Sequence, residues 1–163
     1  MEDIAVAAGV GRQTVYRTFP TRVALFEAIA LHRLVSMRDQ MKIKVDAYST
    51  LEGALINGTI DVRAVARKDK LFMALVEAAG DRGLERYLLQ PSPEVRDIMR
   101  FIWADIFARA RTQGELRKDL SDMEIADWLR VVNFTLLLRD DLTTAEQKSL
   151  LRTFVLPALA PKT

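Results

Sequence analysis

The first twenty-six residues, MEDIAVAAGVGRQTVYRTFPTRVALF, constrain the chain more than any other stretch. Ile4, Ala5 and Ala8 fall at helical spacing. Gly9 then breaks the helix, as a residue free to adopt φ > 0 does. Val10 and Gly11 lead into a second short helical run from Arg12 to Phe19. Pro20 ends that run, because the residue before a proline is biased away from the helical region. Thr21 follows as the cap of a third helix. Helix, tight glycine turn, short helix is the sequence form of a helix-turn-helix. In such a unit the second helix enters the DNA major groove and its early residues face base edges.

A nucleic-acid reading must rest on a local patch, because the formal net charge is only +2. Arg12, Arg17, Arg22 and Arg33 supply one, opposed between 12 and 33 by Glu27 alone. The absence of cysteine excludes a disulfide framework and a zinc–cysteine site. His32 is the single histidine, which excludes a Ser-His-Asp triad built on a second histidine and a two-histidine metal site. Asp61, Asp105, Glu124 and Asp127 show no repeated E-x-x-H pattern of a di-iron bundle. No glycine-rich phosphate loop occurs. The chain therefore reads as a non-enzyme, with no cofactor expected. Glu2 and Asp3 stand where a signal peptide would be basic, and no apolar run approaches a membrane span, so a cytoplasmic protein without a membrane partner is expected.

Half of the residues are hydrophobic, and their spacing is helical throughout. A long helix is expected from about Arg22 to Val45, with Leu25, Phe26, Ile29, Ala30, Leu34 and Met37 on one face. Ser49 and Glu52 have capping-box separation ahead of a helix to about Arg67, which Asn57-Gly58-Thr59 should interrupt. Another apolar helix covers Leu71 to Ala79, and Gly80 and Gly83 loosen the chain beyond it. Ser92-Pro93 should start a helix running to about Thr112 and closed by Gly114. Ser121 and Glu124 form a second capping box, before a helix to about Arg139 that is apolar on nearly every side. Thr143-Thr144 should cap the last helix, with Pro157 and Pro161 ending it.

The first stretch resembles the DNA-binding domain of TetR/AcrR-type transcriptional regulators. The matching residues are Ile4-Ala5, Ala8-Gly9-Val10, Thr14-Val15-Tyr16, Phe19-Pro20-Thr21-Arg22 and Ala24-Leu25. Gly11 departs from the Ser or Thr common in the family, and Val23 from an acid. The family's first helix would precede Met1. The resemblance implies an all-α fold: an N-terminally truncated helix-turn-helix module with its connecting helix at residues 1–45, then a helical ligand-binding and dimerisation bundle at 46–163. It also implies a ligand-responsive regulator, most often a repressor, whose homodimer binds operator DNA and releases it on binding a small apolar or amphipathic effector. A dimeric small-molecule-binding bundle without DNA activity is the alternative. With the first helix absent, the chain is expected to bind DNA poorly.

By that resemblance Arg12 and Gln13 meet bases, and Thr14, Tyr16, Thr21 and Arg22 meet the DNA backbone. The chemistry agrees: Arg suits guanine, Gln suits adenine, and hydroxyls and cations suit phosphate. Phe72, Met73, Met99, Trp103, Phe107 and Asn133 are candidates for an effector pocket. Asn133 stands out, since an amide inside an apolar run needs a partner if buried. Trp128, Leu129, Val132, Leu136, Leu150, Leu151 and Phe154 are candidates for a dimer seam.

Overall fold

The computed structural model describes residues 1–79 and 92–161, and every regular element within them is helical. Gly80, Gly83 and the run 84–91 lie outside the described residues. Helices α1 (Glu2–Ala8) and α2 (Arg12–Thr18) meet through a turn at Gly9, whose φ of 64° is a left-handed conformation that a side chain would strain. Its amide closes α1 on the carbonyls of Ala5 and Val6. Phe19 is extended ahead of Pro20, so α2 ends one residue earlier than its apolar spacing suggests. Thr21 Oγ1 accepts the Ala24 amide at 3.0 Å and starts α3 (Arg22–Asp46). At 1.5 Å per residue this unbroken helix is about 37 Å long.

Helix α4 joins Leu51–Gly53, a π-helical turn at Ala54–Gly58, and Thr59–Lys68 without a break. Asn57 and Gly58 therefore widen the helix rather than interrupt it. A Cβ on Gly58 would meet the Tyr48 ring and the Val45 backbone at 3.5 Å, an ordinary van der Waals contact, so α4 lies on the end of α3 without requiring glycine there. The start of α4 also differs from the expected box. Thr50, not Ser49, is the cap, its hydroxyl accepting the Gly53 amide at 3.1 Å. Glu52 turns outward towards Arg152, and Glu115 Oε2 accepts the Leu51 amide at 2.8 Å instead.

Helix α5 (Lys70–Ala79) follows, then α6 (Pro93–Gln113), closed by Gly114, and α7 (Asp122–Leu137). The last helix, α8, joins Thr144–Leu150, a π turn at Leu151–Val155, and Leu156–Leu159. The boxes Ser121/Glu124 and Thr143/Glu146 are both complete. Each box holds its glutamate below the usual carboxylate range, first through the hydroxyl bond and then through the backbone amide. Pro157 does not end α8. It lies in the turn after the π segment, and the helix continues to Leu159.

One core fills the space between α3 and the later helices. Helix α3 packs chiefly on α6 and α4, and α6 on α7. Leu34, Met37, Met41 and Val45 of α3 meet Ile102, Trp103, Ile106 and Phe107 of α6 and Ile125, Ala126 and Leu129 of α7 in a single buried cluster. Trp103 and Phe107 stack with centroids 5.9 Å apart. Along the outer seam Lys42 bridges Asp46 and Asp105 at 2.9 and 2.7 Å, and Arg38 and Lys42 lie over the Phe101 ring. The helix-turn-helix has its own small cluster, with Met1, Ala5 and Val15 buried and Phe19 and Leu25 against them. Ile4 and Val10 stay partly exposed.

Candidate nucleic-acid interface and effector cavity

Burying Val15 fixes which side of α2 faces outward. Arg12, Gln13, Thr14 and Tyr16 are all exposed, and so are Thr21 and Arg22 at the start of α3. The structure brings Arg12, Tyr16 and Arg22 to one concave surface with Met1, Glu2 and Asp3. Arg12 lies 5.6 Å over the Tyr16 ring and pairs with Glu2 at 3.3 Å. Both members of that pair are solvated, so it is weak and easily exchanged for phosphate or a base edge. Thr21 Oγ1 accepts the α3 cap bond, and its O–H still has a proton to donate. Arg33 does not belong to the patch. It reaches Asp69 with its Nε at 2.9 Å and with a second guanidinium nitrogen.

That ion pair links α3 to the wall of a cavity. Asp69 also accepts the Phe72 amide at 2.9 Å, the bond of an N-cap, and so fixes the first turn of α5. Its carboxyl is held below the usual range by Arg33 first, against the opposing effect of burial. Three residues on, Phe72 faces a cavity of about 90 Å³ between α3, α4, α5, α6 and α7. Leu34 and Met41, both on α3, belong to the same wall. Of the candidate pocket residues, Phe72, Met99, Trp103 and Asn133 line it. Two candidates do not. Phe107 lies fully buried behind Trp103, and Met73 packs against the core elsewhere. One turn or less separates each from a lining residue, and a period of 3.6 does not resolve neighbours on a broad apolar face.

Sequence reasoning missed the two charged residues in this wall, Arg63 and Arg130. Both are nearly inaccessible to solvent. Arg63 sits seven residues after the buried Ile56, on the inward face of α4, and that spacing was the available signal. Its terminal nitrogens donate to Gln147 Oε1 and to the Leu136 carbonyl. Its Nε–H has no partner among the described residues. Burial pulls its pKa down, with Arg67 adding to the shift and Asp140 opposing it. Arg130 pairs with Asp127 at 3.0 Å. Asn133 donates to the Leu129 carbonyl at 2.8 Å, and its buried Oδ1 lacks a donor among the described residues.

The candidate dimer seam divides. Trp128 is 49% and Phe154 67% exposed, and Val132 and Leu150 are half-buried. Leu129, Leu136 and Leu151 are buried within this single chain and belong to its own core. A helix that is apolar all round needs cover on most sides, and here the chain itself supplies most of it. Among the described residues no helix is long and apolar enough to cross a membrane.

Residues 1–29 match the family model of bacterial regulatory proteins, tetR family. Over 99% of its length the chain is similar to the crystal structure of a TetR transcriptional regulator from Streptomyces coelicolor, at 26% identity and a TM-score of 0.50, covering 87% of that chain. No curated protein matches the sequence.

Proposed function

We propose, from the tetR-family match at residues 1–29 and the likeness along its length to a TetR regulator, that the chain is a ligand-responsive repressor of the TetR type. Its homodimer would bind a pseudo-palindromic operator with two copies of α2 in successive major grooves. A small apolar or amphipathic effector would occupy the cavity beside Trp103 and release the DNA.

The observation that carries this reading is the course of α3. Thr21 and Arg22 at its start adjoin the DNA-facing residues, while Leu34 and Met41 line the cavity. A single rigid helix therefore touches both sites, and Arg33 ties it to the helix that bears Phe72. An effector that binds one placement of α3 better than another shifts the spacing of the two recognition helices by that difference in affinity.

The test uses the DNA flanking the protein's own gene. Titrated with a version of the chain that carries a complete first helix, labelled fragments should show one saturable, palindromic site by anisotropy, with an affinity that falls steeply with salt. Ligand recovered with the purified protein, identified by mass spectrometry, should release that fragment. Binding of the ligand with no sequence-selective DNA binding at any salt would favour the alternative of a ligand-binding bundle without DNA activity.

A further inference from the structure

Arg63 is a buried cation whose hydrogen-bond partners are neutral. Gln147 and Leu136 supply an amide oxygen and a backbone carbonyl. Asp140, the carboxylate that acts on it through space, is bonded to Arg67 at 2.5 Å and makes no hydrogen bond to Arg63. Arg67 adds a second positive charge close enough to lower the Arg63 pKa further. A guanidinium in such a place costs free energy unless an anion reaches it. One of its donors, Nε–H, has no partner among the described residues, and the side chain forms part of the cavity wall. Apart from Arg130, which pairs with Asp127, and Asn133, the rest of that wall is apolar, with Leu34, Met41, Phe72, Val95, Ile102 and Trp103 in it.

We infer that the cavity is built for a small apolar carboxylate, with its acid group on Arg63 and its hydrocarbon body against Phe72 and Trp103. This rests on the reading of the cavity as the effector site and specifies which effectors it takes. At about 90 Å³ the space suits a single ring or a short chain. The low-dielectric surroundings strengthen the pairing of charge with charge. A neutral ligand of the same shape would leave the buried cation uncompensated.

Calorimetric titration of the full chain with benzoate and with acetophenone separates the two claims. The two probes share a ring and a carbonyl oxygen and differ in charge. Benzoate should bind at least about tenfold more tightly, as a charged hydrogen bond to a buried donor implies. Arg63→Gln should abolish that advantage while leaving acetophenone binding within about twofold. If Arg63→Gln does not fold, the wild-type spectrum of arginine Nε–H groups gives the answer: benzoate should shift one solvent-protected resonance and acetophenone should not. Equal binding of the two probes, or a benzoate advantage that survives in a folded Arg63→Gln, would overturn the carboxylate assignment and leave the effector cavity standing. No binding of either probe would overturn both.

Discussion

The molecule contains two helical regions held together to very different extents. In the helix-turn-helix the buried side chains are Met1, Ala5 and Val15, with Phe19 and Leu25 half-covered. In the bundle thirty described residues form one continuous buried cluster. The difference is more than size. Ile4, Val6, Val10 and Val23 in the small region keep between 39% and 79% of their surface exposed, whereas Trp103, Ile106, Phe107 and Leu129 keep 1% or less. Apolar burial is the main favourable term in folding. The proposed DNA-facing surface thus sits on the part of the chain with the least to hold it, while the cavity is set in the part with the most. A module this lightly packed takes its position from α3, the one element it shares with the bundle.

Core truncation should expose that difference most strongly. Leu129→Ala or Phe107→Ala should lower global stability by about 3–5 kcal/mol, because neighbours this closely packed cannot collapse into the space. Val15→Ala should instead loosen α1 and α2 alone, with the main unfolding transition followed by Trp103 fluorescence almost unmoved. Equal losses from Val15→Ala and Leu129→Ala would mean that the two regions fold as one unit.

Hydrogen exchange reads the same contrast without mutation. Amides of α1 and α2 should exchange through local opening at well under the global unfolding free energy, and those of α6 only through global unfolding. Protection in α2 equal to that in α6 would show that α3 holds the module far more firmly than its own core suggests.

Within the bundle, the tie between α3 and α5 should respond to acid. The Asp69 carboxyl is depressed, chiefly by Arg33, so its contribution is present above the ordinary carboxyl range near pH 4 and is lost as pH falls through the depressed folded value. Asp69→Asn should cost roughly 1–2 kcal/mol at pH 7, since it removes a charge-assisted pair and weakens the α5 cap, the partly exposed Arg33 keeping the figure at that modest level. The mutant and wild-type stabilities should converge below about pH 4. A gap that persists in acid would assign the loss to packing rather than to the ion pair.

How much of this was legible in the sequence depends on the range of the interaction concerned. The Gly9 turn, the Thr21 cap, the box at Ser121 and the cap at Thr143 are local, and each was readable within a few residues. The cap at Thr50 was not. Ser49 and Thr50 are both adequate hydroxyls, and the carboxylate that serves the Leu51 amide is Glu115, far along the chain. The cavity shows the same division. Its apolar wall follows from helical period, but the burial of Arg63 and Arg130 is supplied by other helices, and beyond the spacing of Arg63 from Ile56 nothing local signals it. The side on which Leu129, Leu136 and Leu151 would be covered was undetermined for the same reason: an all-apolar helix does not say which neighbour it meets.

The smallest change in stability should accompany a large change in binding, and it falls on Arg12. Its pair with Glu2 joins side chains that keep 61% and 72% of their surface in water. Such pairs are worth about 0–1 kcal/mol, and the stacking on the exposed Tyr16 ring adds little more. Arg12→Ala should therefore leave the unfolding midpoint within about a degree of wild type. The same guanidinium stands at the first position of α2, where a recognition helix meets base edges. If it reads a guanine, its removal should cost about 1–3 kcal/mol at that base pair and leave other positions of the operator unaffected. Arg22→Ala offers the contrast within the same surface. Without that cation on a phosphate, binding should weaken for every sequence alike and the salt slope should fall by about one. Identical sequence preferences in wild type and in Arg12→Ala would remove Arg12 from the set of base-reading residues, and a shifted midpoint would show that the Glu2 pair holds the module together rather than merely resting on it.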